Sequence, residues 1–167
     1  MTKLKKLISI ILALMVLVVL ASCSVEPEQP METVQGADNV VTQLNNDNNL
    51  GDYMVEIKGC RMAEDYQGNP IVIVTYSFTN NGDEAAAFYL SLEDEVYQDG
   101  IGLNKSYVVA DSANYSSDNQ SKSIKKGATL DVEVAYELND TTSDVEVEVS
   151  EFFSFTDKKI TKVFKLS

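Results

Sequence analysis

The sequence predicts an all-β fold: an antiparallel, two-sheet β-sandwich of about seven to nine short strands, preceded by a signal peptide and a disordered linker. Two observations point there. From Gly51 onward, apolar and polar residues alternate at period two, the spacing of strands with one buried and one wet face. Asn, Asp and Gly residues punctuate those segments at short intervals, and no segment beyond the leader repeats at helical period.

The leader comes first in the chain. Lys3, Lys5 and Lys6 precede an apolar run from Leu7 to Leu20, broken only by Ser9, and Leu20-Ala21-Ser22-Cys23 follows. A basic start, a short apolar stretch and small residues before a cleavage point make residues 1–22 a secretory signal peptide. The run is short of the roughly 20 residues needed to cross a bilayer. Small residues followed by cysteine resemble the lipobox of bacterial lipoproteins. That resemblance implies cleavage before Cys23, lipidation of Cys23, and a chain held at the outer face of the cytoplasmic membrane by its lipid. Two acyl chains on Cys23 would give stable anchoring where one would not. A retained signal anchor is the alternative.

Residues 23–50 read as the lipidated cysteine and a disordered linker, with Pro27, Pro30, several acids and the run Asn45-Asn46-Asp47-Asn48-Asn49. The domain follows over residues 51–167. Tyr53, Val55 and Ile57 alternate with Met54, Glu56 and Lys58. Pro70 opens a strand, and Ile71 to Phe78 is apolar on both faces, which predicts a central strand. Asn80-Asn81-Gly82-Asp83 turns the chain, and Ala86 to Leu92 is read as the next strand. Val96 to Leu103 is a hairpin around Asp99-Gly100, a pair suited to a type I′ turn. Lys126-Gly127 turns into Thr129–Leu138, where Leu130, Val132, Val134, Tyr136 and Leu138 share a face. Val145, Val147 and Val149 alternate with Glu146, Glu148 and Ser150. Ile160, Phe164 and Leu166 form the inner face of a last strand, with Lys162 as an interruption that marks an edge. Strand number and spacing fit an immunoglobulin-type sandwich; an eight-stranded barrel is the alternative.

Composition excludes several chemistries. The chain carries 26 acidic and 13 basic residues, and loss of the leader's three lysines leaves 10 basic residues and a net charge of −16. Nucleic acid and anionic membrane surfaces would be repelled. There is no histidine, which removes Ser-His-Asp triads and His-ligated zinc. Beyond Cys23 only Cys60 remains, so no internal disulfide can form; Cys60 is expected to be a buried, inert residue at a strand end. No tryptophan is present, so the Cys…Trp…Cys pattern of antibody domains is absent.

Several motifs are candidate sites. Ser123-Ile124-Lys125-Lys126 matches Ser-x-x-Lys, but a small β-domain lacks the rest of that enzyme, and the segment is read as a strand end. Asn45, Asp47, Asn49 and Glu56 have partial calcium-loop spacing, with Leu50 where glycine is required. Glu93-Asp94-Glu95 with Asp99 reads as a solvated strand edge. Phe152, Phe153 and Phe155 make either an exposed patch or, as expected here, a continuation of the valine face into the core through a bulge near Glu151. Residues 105–123 hold Tyr107 and Tyr115 among serines and asparagines, the composition of binding loops, and these two tyrosines are the expected partner-binding residues. No catalytic residue, metal site or cofactor is assigned.

Four stretches carry a wider resemblance: Val55–Arg61, Ile71–Ala85, Val96–Leu103 and Val145–Phe155. Together they resemble an uncharacterised Gram-positive lipoprotein family, the domain of unknown function numbered five-zero-six-seven, which is in turn similar to telokin-like, immunoglobulin-like extracellular domains. The resemblance implies a sandwich at the cell surface and brings no activity. The expected function is therefore a lipid-anchored, non-enzymatic binding module for a protein, wall component or ion. The alternative is an accessory envelope lipoprotein without a distinct ligand.

Overall fold

The computed structural model describes residues 40–43 and 47–166. The signal peptide over 1–22, the lipidation site at Cys23 and the linker over 24–39 lie outside the described residues. Among the described residues, nine strands form two antiparallel sheets: β1 (Val40–Gln43), β2 (Asn49–Leu50), β3 (Tyr53–Glu64), β4 (Pro70–Asn80), β5 (Leu92–Gln98), β6 (Ile101–Gly102), β7 (Thr129–Glu137), β8 (Val145–Glu151) and β9 (Lys159–Phe164). One sheet has the order β1-β9-β8-β5-β6 and the other β2-β3-β4-β7. This is the sandwich that the period-two pattern predicts. Among the described residues no helix is long and apolar enough to cross a membrane.

The core follows from the alternation. Val55, Ile57, Val72, Val74, Tyr76, Phe78, Val132, Val134 and Tyr136 of one sheet meet Leu92, Val96, Val145, Val147, Val149, Ile160 and Phe164 of the other. As its two apolar faces require, β4 is central, flanked by β3 and β7. Its second face is also covered: Ile71 and Ile73 pack with Ala135 against Ala63, Val109, Ala113 and Tyr115. The β5–β6 turn has φ of 51° at Asp99 and 74° at Gly100, both left-handed, as a type I′ hairpin demands.

Five expectations are corrected. The strands begin before residue 51: β1 pairs with β9, and Leu50 is fully buried. Averaged composition hid the strand-forming Val40-Val41-Thr42. Ala86 to Leu92 is not a continuous strand. Ala87 accepts from the amides of Leu90 and Ser91, closing a one-turn helix, α1 (Phe88–Ser91), that buries Phe88 and Ser91 at helical spacing. Cys60 lies within β3 rather than at a strand end and is only partly buried; burial pushes its thiol up to about 11. Phe153 and Phe155 are exposed, as described below.

Lys162 is the fifth. It lies inside β9, between β1 and β8, not at an edge, and is 9% exposed. A register shift between Ile57 and Gly59 puts a bulge in β3, and the Lys162 ammonium donates to the carbonyls of Ile57 (2.7 Å) and Lys58 (3.3 Å) there. The same ammonium stands 5.2 Å from the Phe164 ring centroid, and burial lowers its pKa. The lysine that interrupts the apolar pattern thus joins the two sheets where β3 loses its ladder.

The far edge of the second sheet is closed differently. Along β7, the Asp131 carbonyl accepts from Asn119 Nδ2 (2.8 Å) and the Glu133 carbonyl from Gln120 Nε2 (2.6 Å). The Ala135 carbonyl accepts from the Ser106 amide (2.8 Å), and the Glu137 amide donates to Asn104 (2.9 Å). Residues 104–120 therefore seal β7 against further pairing.

Lys162→Met keeps the side chain's length and removes its donors. Urea unfolding should show a loss of about 1–3 kcal/mol, the usual cost of stranding buried acceptors. Unchanged or raised stability would show that the two carbonyls do not need the ammonium.

Candidate functional site

The side chains of β5 alternate as a strand should, and Leu92, Asp94, Val96 and Gln98 point inward. Gln98 uses its inward position to hold the β7–β8 turn. Its amide nitrogen donates to the carbonyls of Asp140 (3.1 Å) and Ser143 (3.2 Å), and its oxygen accepts from the Asn139 amide (2.8 Å).

Asp94 is the unexpected member. Its side chain is 2% exposed, not solvated. One carboxylate oxygen accepts from Lys105 Nζ at 2.6 Å, and the other accepts from the Tyr136 hydroxyl in a short hydrogen bond. Beside Tyr136, the buried hydroxyl of Tyr76 has no hydrogen-bond partner among the described residues. Burial pushes both phenols well above their ordinary pKa, helped by the Asp94 charge, so both stay protonated at neutral pH. The sequence did carry a sign of this network, because Asp94 occupies an inward position between Leu92 and Val96.

A cleft of about 350 Å³ opens above these groups, between β5 and the segment that leaves β6. Tyr89, Tyr97, Leu103, Lys105 and Phe152 line it. Tyr97 donates to Glu95 at 2.6 Å, which lifts its pKa to about 12. The cleft also meets the backbone of β5. β6 pairs only with Tyr97 and Gln98, and the ladder continues one step further, from the Leu103 amide to the Val96 carbonyl (2.7 Å). By antiparallel alternation, Leu92, Asp94 and Val96 turn their backbone groups to this side, while Glu93, Glu95 and Tyr97 bond to β8. The Leu92 amide is used by Phe88. The Leu92 carbonyl, both Asp94 groups and the Val96 amide have no partner among the described residues.

The cleft runs into an exposed aromatic end. After β8 stops at Glu151, the Ser154 amide bonds back to Glu151 (3.2 Å), and no bulge returns the chain to the core. Phe153 is 81% exposed and Phe155 fully so. Phe152 stacks edge-on against Phe153, with centroids 4.8 Å apart. The Phe152 amide bonds to Ser91 (3.0 Å), which brings Tyr89 and Leu90 of α1, both more than half exposed, beside the phenylalanines.

The two tyrosines expected to bind a partner separate. Tyr107 is 87% exposed. Tyr115 packs over Ile71, Ile73 and Ala135, accepts from Gln120 at 3.1 Å, and is pushed up in pKa by burial. Asp47, from the partial calcium pattern, accepts from Asn49 and from Lys158 (2.7 Å). Ile124, inside the Ser-x-x-Lys match, pairs with Ala86. No group of three or more potential metal-ligating side chains occurs among the described residues.

Fold and site together define a β-sandwich module with an aromatic end and an open strand edge. The chain belongs to the family "Domain of unknown function (DUF5067)", whose profile matches residues 32–151. That match begins ahead of residue 51, in agreement with β1. Among solved structures, the chain resembles a candidate lipoprotein from Staphylococcus aureus subsp. aureus NCTC 8325, with a TM-score of 0.55 and 19% identity, over 72% of this chain and 92% of that one. At that identity the likeness shows the fold. No curated protein matches.

The polar network makes a paired prediction. Tyr76→Phe removes a buried hydroxyl with no partner and should leave stability unchanged or raise it by about 1 kcal/mol. Asp94→Ala strands Tyr136 and Lys105 and should cost about 3 kcal/mol, measured by urea unfolding. The reverse order would show that Tyr76, not Asp94, organises the seam.

Proposed function

We propose that the protein is a lipoprotein, anchored through a lipid on Cys23 at the outer face of the cytoplasmic membrane, whose β-sandwich is a binding module for a protein partner. The anchoring part is supported by the leader ending in Leu20-Ala21-Ser22-Cys23 and by the description of the Staphylococcus aureus structure as a candidate lipoprotein. The binding part is carried by one observation, the exposed cluster of Phe152, Phe153, Phe155, Tyr89 and Leu90 at one end of the sandwich. Contiguous apolar surface of this kind marks contact sites, and aromatic anchors dominate such interfaces. The contact surface is therefore placed here rather than at Tyr115, which is spent on packing.

Binding is favoured over catalysis by the state of the polar groups. Asp94, Lys105 and Tyr136 are bonded to one another, and the chain has no histidine to serve as a base near neutral pH.

A photo-cross-linking residue placed at Phe153 in intact cells should give one discrete adduct that Cys23→Ala, by releasing the chain from the membrane, reduces. No adduct at Phe153 would overturn the contact assignment, and a Cys23→Ala chain that stays in the membrane fraction would overturn the anchor.

A further inference from the structure

The β5 edge narrows what the binding end accepts, and this inference rests on the binding-module reading above. Residues 104–120 seal β7, and the Lys162 ammonium caps β3 at its bulge beyond the two-residue β2; β5 presents unpartnered backbone groups inside a formed cleft. The Val96 amide, the Asp94 amide and carbonyl, and the Leu92 carbonyl lie in one row. Such a row is the hydrogen-bonding template for one more antiparallel or parallel strand. Tyr89 and Phe152 stand at one end of it and Tyr97 and Leu103 at the other, apolar walls for a strand's alternate side chains.

Charge selects among strands. Glu93 and Glu95 are exposed on the outer face of β5, and on β8 Glu148 lies opposite Glu95 and Glu146 opposite Tyr97. Lys159 pairs with Glu148. The cation that reaches the cleft, Lys105, is already paired with Asp94. The rim is therefore acidic, and the mature chain's net charge has the same sign. We propose that the cleft takes a short, extended, basic segment of a partner protein, added as a strand to the β5 edge, with apolar residues seated between Phe152 and Tyr97. The added strand continues the pairing that ends at the Val96 carbonyl.

The probe is the peptide acetyl-Lys-Val-Lys-Val-Lys-amide, titrated into the full-length lipidated chain in neutral detergent micelles and followed by hydrogen exchange and calorimetry. Exchange should slow in residues 92–98. The Glu counterpart, acetyl-Glu-Val-Glu-Val-Glu-amide, should bind at least about tenfold more weakly, as should the Lys peptide N-methylated at alternate residues. The exposed double variant Glu93→Lys/Glu95→Lys should also lose about tenfold in affinity. Absence of binding by the Lys peptide, protection confined to other segments, or equal binding of the N-methylated form would overturn the proposal. Concentration-dependent protection of residues 92–98 without peptide would also overturn it, by making a second copy the occupant. Because this titration reads the cleft directly while cross-linking reads contact in cells, either result can fail without the other.

Discussion

Backbone hydrogen bonding at the rims of the two sheets is the constraint on which the rest of this structure depends. A sandwich buries its faces readily, but each outer strand leaves a row of amides and carbonyls that must meet protein, water or another chain. Here the rims are treated unequally. Residues 104–120 satisfy β7 with two side-chain amides and two backbone bonds. Lys162 caps β3 at its bulge. Between the Leu92 amide, held by Phe88, and the Val96 carbonyl, held by Leu103, the outer backbone groups of β5 have no partner among the described residues, and a cleft with aromatic walls lies there.

The two polar clusters between the sheets follow from the same constraint. They sit on opposite seams: Lys162 bridges β9 to β3, and Asp94 bridges β5 to β7 through Tyr136. Lys162 and Asp94 are each bonded to two neighbouring groups, so each acts as a fixed spacer that sets how the sheets meet. Lys105, paired with Asp94, also lies where the segment after β6 bridges to Tyr136 of β7.

The strand pattern was legible in the sequence because period two needs only local alternation. Thr129–Leu138 and Val145–Ser150 were placed correctly, and Asp99-Gly100 set its hairpin through backbone conformation alone. What failed was nonlocal. Lys162 reads as an edge residue until the bulge in β3 gives its ammonium a reason to be inside. Phe153 and Phe155 read as core until β8 ends at Glu151. Val40–Gln43 reads as linker because its pairing partner lies more than a hundred residues away. The site was the least legible part. Asp94 was hidden between two glutamates whose exposure is real, and the unpaired β5 edge has no sequence signature, since it depends on where β6 stops.

The openness of the β5 edge can be measured without a ligand. Residue-resolved amide exchange on the full-length chain in micelles compares neighbours within one strand, so burial and local stability are nearly shared. The account predicts that the Asp94 and Val96 amides exchange at least about tenfold faster than those of Glu93 and Glu95, which bond to β8. Equal protection of all four would mean that the edge is already closed, and would contradict the account.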